Sequence, residues 1–129
     1  MPTPPRSVPP SLGDLERAVM EEVWRDGERT VRDVLGTLNA TSGRERAYTT
    51  VMTIMRKLDR KGLLSRRRVG KTDLYVAVID RDAYARARAA AEVGALVREY
   101  GDVALAGFAD EMARLDPERI ERLRRHAAS

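Results

Sequence analysis

Residues 46–61 restrict this chain more than any other stretch, because as a helix they carry two faces that need opposite environments. At about 100° per residue, Ile54, Met55, Leu58 and Gly62 fall within roughly 60° of Val51, while Thr49, Thr53, Arg56 and Arg60 fall roughly 140–200° away. Arg46, Thr50 and Lys57 occupy one flank. Asp59, the only acid in the stretch, lies on the other. One face therefore has to be buried against other elements, and the opposite face presents hydroxyls and guanidinium groups. An ordinary surface helix mixes Glu with Lys on its outer side. Threonine is also a weak helix former, so the row of threonines points to something other than helicity.

The charge around this helix is uneven. Residues 44–71 hold ten Lys/Arg against Glu45 and Asp59, a net +8, whereas the whole 129-residue chain is only +4. Residues 1–79 carry a net +5 and residues 80–129 a net −1. A positive field focused this way suits a polyanion.

The surrounding pattern is mainly helical with one small β-hairpin. Ser11 with Asp14 has the form of a capping box opening a first helix. In it Leu15, Val19 and Val23 recur at helical spacing beside Met20 and Trp24, and Asp26-Gly27 closes it. Thr30 with Asp33 forms a second box, followed by the apolar face Val31, Val34, Leu35 and Leu38. Residues 39–43 read as a turn. Gly62 stops the third helix. Residues 63–68 can then form a strand, Gly70 marks a turn, and residues 72–78 alternate with Leu74, Val76 and Val78 on one face. Helix, helix, helix, hairpin is the order of a winged helix-turn-helix. In that arrangement the third helix enters the major groove of duplex DNA and Arg66, Arg67, Arg68 and Lys71 reach the backbone. Their mutual repulsion in the strand end and turn is itself a reason to expect phosphates nearby. Threonine can meet a thymine methyl and arginine can grip a guanine. Double-stranded RNA has a major groove too narrow for a helix. Single-strand binders need stacking aromatics, and Tyr48 and Tyr75, the aromatics near the patch, are expected in or beside the core.

Beyond residue 79, Asp80 caps a long fourth helix running to about Tyr100, with Val93, Leu96, Val97 and Tyr100 at i, i+3, i+4, i+7. Gly101-Asp102 breaks it. A fifth helix places Leu105, Phe108, Ala109 and Met112 on one side, and Asp116-Pro117 opens a sixth with Ile120 and Leu123 inside. These helices bury little alone. The strip Val93, Leu96, Val97, Tyr100, Leu105, Phe108 and Met112 is therefore expected to dimerise. The expected organisation is a flexible Pro-rich arm at residues 1–10, whose Arg6 could touch DNA, a winged-helix DNA-binding domain at 11–79, and a helical dimerisation region at 80–129.

Several classes are excluded. Without cysteine there is no disulfide, thiol nucleophile or thiolate metal site, and the chain suits a reducing cytoplasm. With His126 the only histidine, a multi-histidine metal site is excluded. No apolar run approaches the roughly 20 residues of a membrane span. No acid/base pair with histidine and no phosphate-cradling glycine loop is present, so neither enzyme chemistry nor a cofactor is expected. The carboxylate cluster Glu21, Glu22, Asp26, Glu28 reads as a solvated helix end.

A family resemblance adds to this. Leu12-Gly13-Asp14-Leu15-Glu16 through Val19-Met20 and Val23-Trp24, then Thr30-Val31-Arg32-Asp33-Val34, Ala47-Tyr48-Thr49-Thr50-Val51-Met52-Thr53 and Leu58-Asp59-Arg60-Lys61-Gly62-Leu63 resemble the penicillinase-repressor family of bacterial transcriptional repressors. The likeness covers about residues 12–79, and 80–125 by length and helix order only. It implies a homodimer that binds a palindromic operator through the winged helix and represses a β-lactamase, resistance or stress-type operon. It places Thr49, Thr50, Thr53, Arg56 and Arg60 on the recognition helix, Arg68 and Lys71 in the wing, and Thr30 and Arg32 near the DNA backbone. The helix-face analysis adds Lys57 and Arg46. Copper-responsive members carry paired Cys-x-Cys motifs, which this chain lacks. Antibiotic-responsive members work with a membrane sensor protease and are cut at an Asn-Phe bond. The matching place here is Gly107-Phe108, with glycine for asparagine. The alternatives in other classes are a non-specific architectural nucleic-acid-binding protein and a winged-helix protein–protein adaptor.

Overall fold

The computed structural model describes residues 8–128. Its elements are α1 (Asp14–Asp26), α2 (Val31–Thr41), α3 (Tyr48–Arg60), β1 (Leu64–Val69), β2 (Thr72–Ala77), α4 (Arg81–Tyr100), α5 (Asp102–Ala113) and α6 (Pro117–Ala128). They divide into two compact units, Met1–Arg88 and Ala89–Ser129, so α4 begins in the first and ends in the second.

The first unit is a three-helix cluster closed by an antiparallel hairpin, the winged helix-turn-helix that the pattern predicts. Each helix contributes its apolar stripe to one core. Val19, Met20 and Val23 come from α1, Val31, Val34 and Leu38 from α2, and Val51, Met55 and Leu58 from α3. Leu63, Leu64, Tyr75 and Tyr84 complete it. The capping box of α2 forms as its residues dictate: the Asp33 amide donates to the Thr30 hydroxyl at 3.0 Å and the Thr30 amide donates to the Asp33 carboxylate at 3.1 Å. Gly70 opens the two-residue hairpin loop with φ 64°, in the left-handed region where a residue without Cβ is not strained.

Four local expectations need correction. Ser11 lies outside α1. Its cap is Gly13, whose amide donates to Glu16 Oε1 at 3.0 Å, because Glu16 rather than Asp14 stands at the third helical position. Residues 39–41 belong to α2 rather than to the following turn. α3 starts at Tyr48, which leaves Arg46 in the preceding loop. In β2 the residue turned to the core is Tyr75, fully buried, while Val76 and Val78 face outward. A strand's two faces alternate, and the backbone pairing of Tyr75 with Arg29 sets which of them meets the core.

The arm reading covers residues 1–10, of which 1–7, Arg6 included, lie outside the described residues. Pro9 and Pro10 are held: their carbonyls accept from Arg88 and from the Tyr84 hydroxyl at 3.2 and 2.7 Å. Tyr84 also packs on Trp24, with ring centroids 5.5 Å apart, and the Trp24 indole N–H donates to the Ile79 carbonyl at 2.9 Å. The start of α4 is thus fixed to α1.

The second unit contains the rest of α4 with α5 and α6. Asp116 caps α6 by accepting from the Arg119 amide at 2.8 Å. No residue of α5 is buried. Val93, Leu96, Tyr100, Val103, Leu105, Met112 and Leu123 are all exposed, and Val97 and Phe108 are half-buried. Among the described residues no helix is long and apolar enough to cross a membrane.

Candidate nucleic-acid interface

α3 turns its two faces as the spacing dictates. Val51, Met55 and Leu58 have no exposed surface, while Thr49, Thr50, Thr53, Arg56, Lys57 and Arg60 are all exposed. Its N-terminus is set by α2. The side chain of Asn39 accepts from the Arg46 amide at 2.8 Å and donates to the Arg46 carbonyl at 3.1 Å, fixing the loop that leads into Ala47, the N-cap. At the other end Gly62, with φ 81°, ends the helix and turns the chain into Leu63 and β1.

Between α2, α3 and the hairpin lies a cleft of about 510 Å³. Thr30 and Arg32, Tyr48 and Arg56, and Arg68 and Lys71 line it, with Asp73 and Tyr75. The fold therefore brings hairpin, α3 and α2 residues to one surface. Thr49, Thr50, Thr53 and Arg60 lie on the outer side of α3 and are not part of the cleft lining. Arg46 is half-buried, and its Nε is buried without a hydrogen-bond partner.

The charges are sorted by pairing. Arg67 grips Glu28 with two bonds of 2.7 and 2.9 Å, and Arg66 meets Asp59 at 3.4 Å. Arg68 reaches Asp73 at 3.4 Å. Lys61 lies 2.7 Å and Lys57 3.9 Å from Glu16. The wing arginines thus have internal counterions and do not simply repel one another, which corrects the expectation from their clustering. Glu21, Glu22, Asp26 and Glu28 likewise form ion pairs, with Arg81, Arg25, Arg29 and Arg67, and Glu22 is buried; the cluster is not a solvated helix end. Among the described residues Arg44, Arg56, Arg60 and Lys71 have no carboxylate within ion-pair distance. Arg56, Arg60 and Lys71 sit on the outer face of α3 and at the wing turn, where a phosphate or a base edge could engage them.

The pairing also sets the acidities. The Arg67 guanidinium holds the Glu28 carboxyl below its ordinary value, and Arg67 becomes more basic in return. Burial pushes the Glu16 carboxyl up, but the Lys61 ammonium, the Gly13 amide and the charge of Lys57 outweigh it and hold Glu16 low. Asp33 is lowered first by the Thr30 amide and then by its hydroxyl.

Two residues of this surface escaped the sequence reading. Asn39 reads as part of a turn in the sequence but belongs to α2. Its role was visible only as an Asn seven residues before Arg46. Tyr48, expected in or beside the core, is 42% exposed, with the Arg32 guanidinium carbon 5.5 Å from its ring centroid.

Known proteins resemble this chain in sequence and in fold. The chain is 46% identical over 72 residues to the transcriptional regulator BlaI of Mycobacterium tuberculosis, in strain CDC 1551 / Oshkosh and equally in strain ATCC 25618 / H37Rv. That match spans 55% of this chain and 51% of the relative, so the chain spans about half the length of the curated relatives it matches. The solution structure of the DNA binding domain of the repressor BlaI superimposes with a TM-score of 0.52 at 26% identity, covering 62% of this chain and 94% of that one. A complex structure of hsRosR-S4 gives 0.56 over 83% of this chain and 97% of that one, at 17% identity, a likeness of fold alone. The penicillinase repressor family model matches residues 12–129, and the chain belongs to that family of regulators.

Proposed function

We propose that this chain is a homodimeric transcriptional repressor that binds a palindromic operator in duplex DNA and acts in the cytoplasm. The observation that carries the reading is the outer face of α3. Thr49, Thr50, Thr53, Arg56 and Arg60 stand exposed there, and among the described residues its arginines lack internal counterions, while Val51, Met55 and Leu58 on the opposite face are fully buried. A helix held so firmly by one side presents the other rigidly enough for base-edge contacts. Arg68 and Lys71 of the wing, Thr30 and Arg32 at the start of α2, Lys57 on the flank of α3 and Arg46 in the loop before it are the backbone-contacting set. The similarity to a transcriptional regulator and to the DNA binding domain of a repressor supports the same reading.

The dimer rests on the second unit. Val93, Leu96, Val97, Tyr100, Leu105, Phe108 and Met112 leave an apolar strip that three helices with almost no buried residues cannot cover themselves. A two-fold axis through such an interface sets two recognition helices about one helical turn of DNA apart. The residue ranges 11–79 and 80–129 are our functional division, and the controlled genes are of the β-lactamase, resistance or stress type. Release through a membrane sensor protease would act at Gly107-Phe108. That bond lies inside α5, so cutting it requires α5 to open locally.

The test is base readout. Each position of an operator half-site is substituted and binding of the native chain and of Arg56→Ala is compared. The proposal expects Arg56→Ala to cost about 1–3 kcal/mol on the native site and to flatten discrimination at one position. Unchanged discrimination at every position would remove Arg56 from the readout set.

A further inference from the structure

We infer that Tyr48 is a positioning residue whose ring holds Arg32 in place for a DNA backbone phosphate. The inference rests on the DNA-binding reading above and adds to it a residue that the reading does not use.

Tyr48 is the first residue of α3, yet it is 42% exposed, an expensive placement for an aromatic side chain at a helix start. Among the described residues its one specific contact is with Arg32, whose guanidinium carbon stands 5.5 Å from the ring centroid, inside cation–π range. Arg32 is exposed and, among the described residues, has no carboxylate within ion-pair distance. A guanidinium held through its charge on a ring keeps its N–H donors available for an anion. Arg32 also sits in the first turn of α2, at the positive end of that helix. The Thr30–Asp33 box satisfies Thr30 and Asp33 there. Arg32 and Tyr48 line the same cleft as Arg56, Arg68 and Lys71. Asp73, the acid of that cleft, is already engaged by Arg66 and Arg68. Without the ring, a long arginine side chain on an exposed turn samples many rotamers and must be ordered at the moment of binding. The ring does that ordering in advance and links the entry of α2 to the entry of α3.

The experiment measures equilibrium binding of the full chain to operator and scrambled duplexes across a salt series. The variants are Tyr48→Phe, Tyr48→Leu, Arg32→Gln and the double variant Tyr48→Leu/Arg32→Gln, with thermal melts confirming that each is folded. The expected result has four parts. Tyr48→Leu weakens both duplexes alike, by about two- to fivefold, the scale of an exposed cation–π contact. Tyr48→Phe keeps native affinity. Arg32→Gln lowers the salt slope by about one unit. Tyr48→Leu adds nothing once Arg32 is gone. Equal losses in Tyr48→Phe and Tyr48→Leu would overturn the inference by showing that the hydroxyl itself meets DNA. So would a full effect of Tyr48→Leu in the Arg32→Gln background, or no effect in the native one. Failure of the native chain to bind either duplex would instead remove the parent reading, and this inference with it.

Discussion

The carboxamide of Asn39, in the last turn of α2, closes a pair of hydrogen bonds on both backbone groups of Arg46, the amide at 2.8 Å and the carbonyl at 3.1 Å. A side chain here does what a strand partner would do, and it locks the loop that delivers α3. Asn39→Ala leaves two half-buried backbone groups without partners, so we expect a stability loss of about 1–3 kcal/mol in denaturant melts. We also expect operator preference to fall more than affinity for scrambled DNA, because the start of α3 loses its fixed orientation while the charges remain. Equal falls on both duplexes would show that the clamp serves stability alone.

Glu16 predicts a pH dependence. Its carboxylate is buried, bonded to the Gly13 amide and 2.7 Å from the Lys61 ammonium, and these partners hold it below the ordinary glutamate value of 4.5. A carboxyl lowered in the fold stabilises fully above its unfolded value, and that stability is lost as pH falls through the folded value. Glu16→Gln is therefore expected to cost about 1.5 kcal/mol at pH 7, with the difference from the native chain narrowing as the pH drops below about 4.5. Thermal melts at pH 7, 5 and 3 give the comparison. A difference that does not narrow would mean that the glutamine fails through shape rather than charge.

Arg67 is occupied by Glu28 on the outer side of the hairpin, across from Leu74 in the register of the two strands. Removing that counterion makes a further cation available. Glu28→Gln is expected to raise affinity for scrambled DNA and to steepen the salt slope by up to about one unit. Glu28→Gln in an Arg67→Gln background is expected to do neither. An effect that persists without Arg67 would assign the change to net charge alone.

The second unit predicts a charge-sensitive dimer. Leu96 lies mid-strip on α4 and is 41% exposed, so Leu96→Glu cannot disturb a core within its own chain. Buried in a dimer, it would set two unpaired carboxylates against apolar surface. Light scattering is expected to shift from dimer to monomer while the melting of the first unit changes little. A dimer that persists unchanged would place the interface elsewhere.

The order of elements was legible because each rests on a strong local signal. The α3 faces follow from 3.6-residue periodicity with chemically opposite sides, and the α2 start follows from Thr30 and Asp33 meeting in a reciprocal box. The hairpin turn follows from Gly70. What stayed hidden depends on long-range geometry. Tyr75 enters the core because its backbone also pairs with Arg29, by bonds of 2.8 and 2.9 Å, which draws β2 against the α1–α2 loop. Nothing in residues 72–78 taken alone contains that bridge. The wing arginines look unbalanced in sequence because their partners Glu28, Asp59 and Asp73 are distributed along the chain, and Glu28 stands 39 residues from Arg67. Tyr48 reads as a core or core-edge residue until α3 is seen to start with it, which turns its side chain toward Arg32.

The central claim is that α3 reads a sequence rather than merely meeting phosphates. Its most direct test is binding of the purified chain to the intergenic DNA upstream of its own gene, with the palindrome intact or scrambled, across a salt series. The account predicts a complex of two chains per intact palindrome, with scrambled DNA bound at least about a thousandfold more weakly near physiological salt. Equal affinity for the two duplexes at every salt concentration would contradict it and make the basic surface a sequence-blind, architectural one. Binding to neither would give that surface to an acidic protein partner.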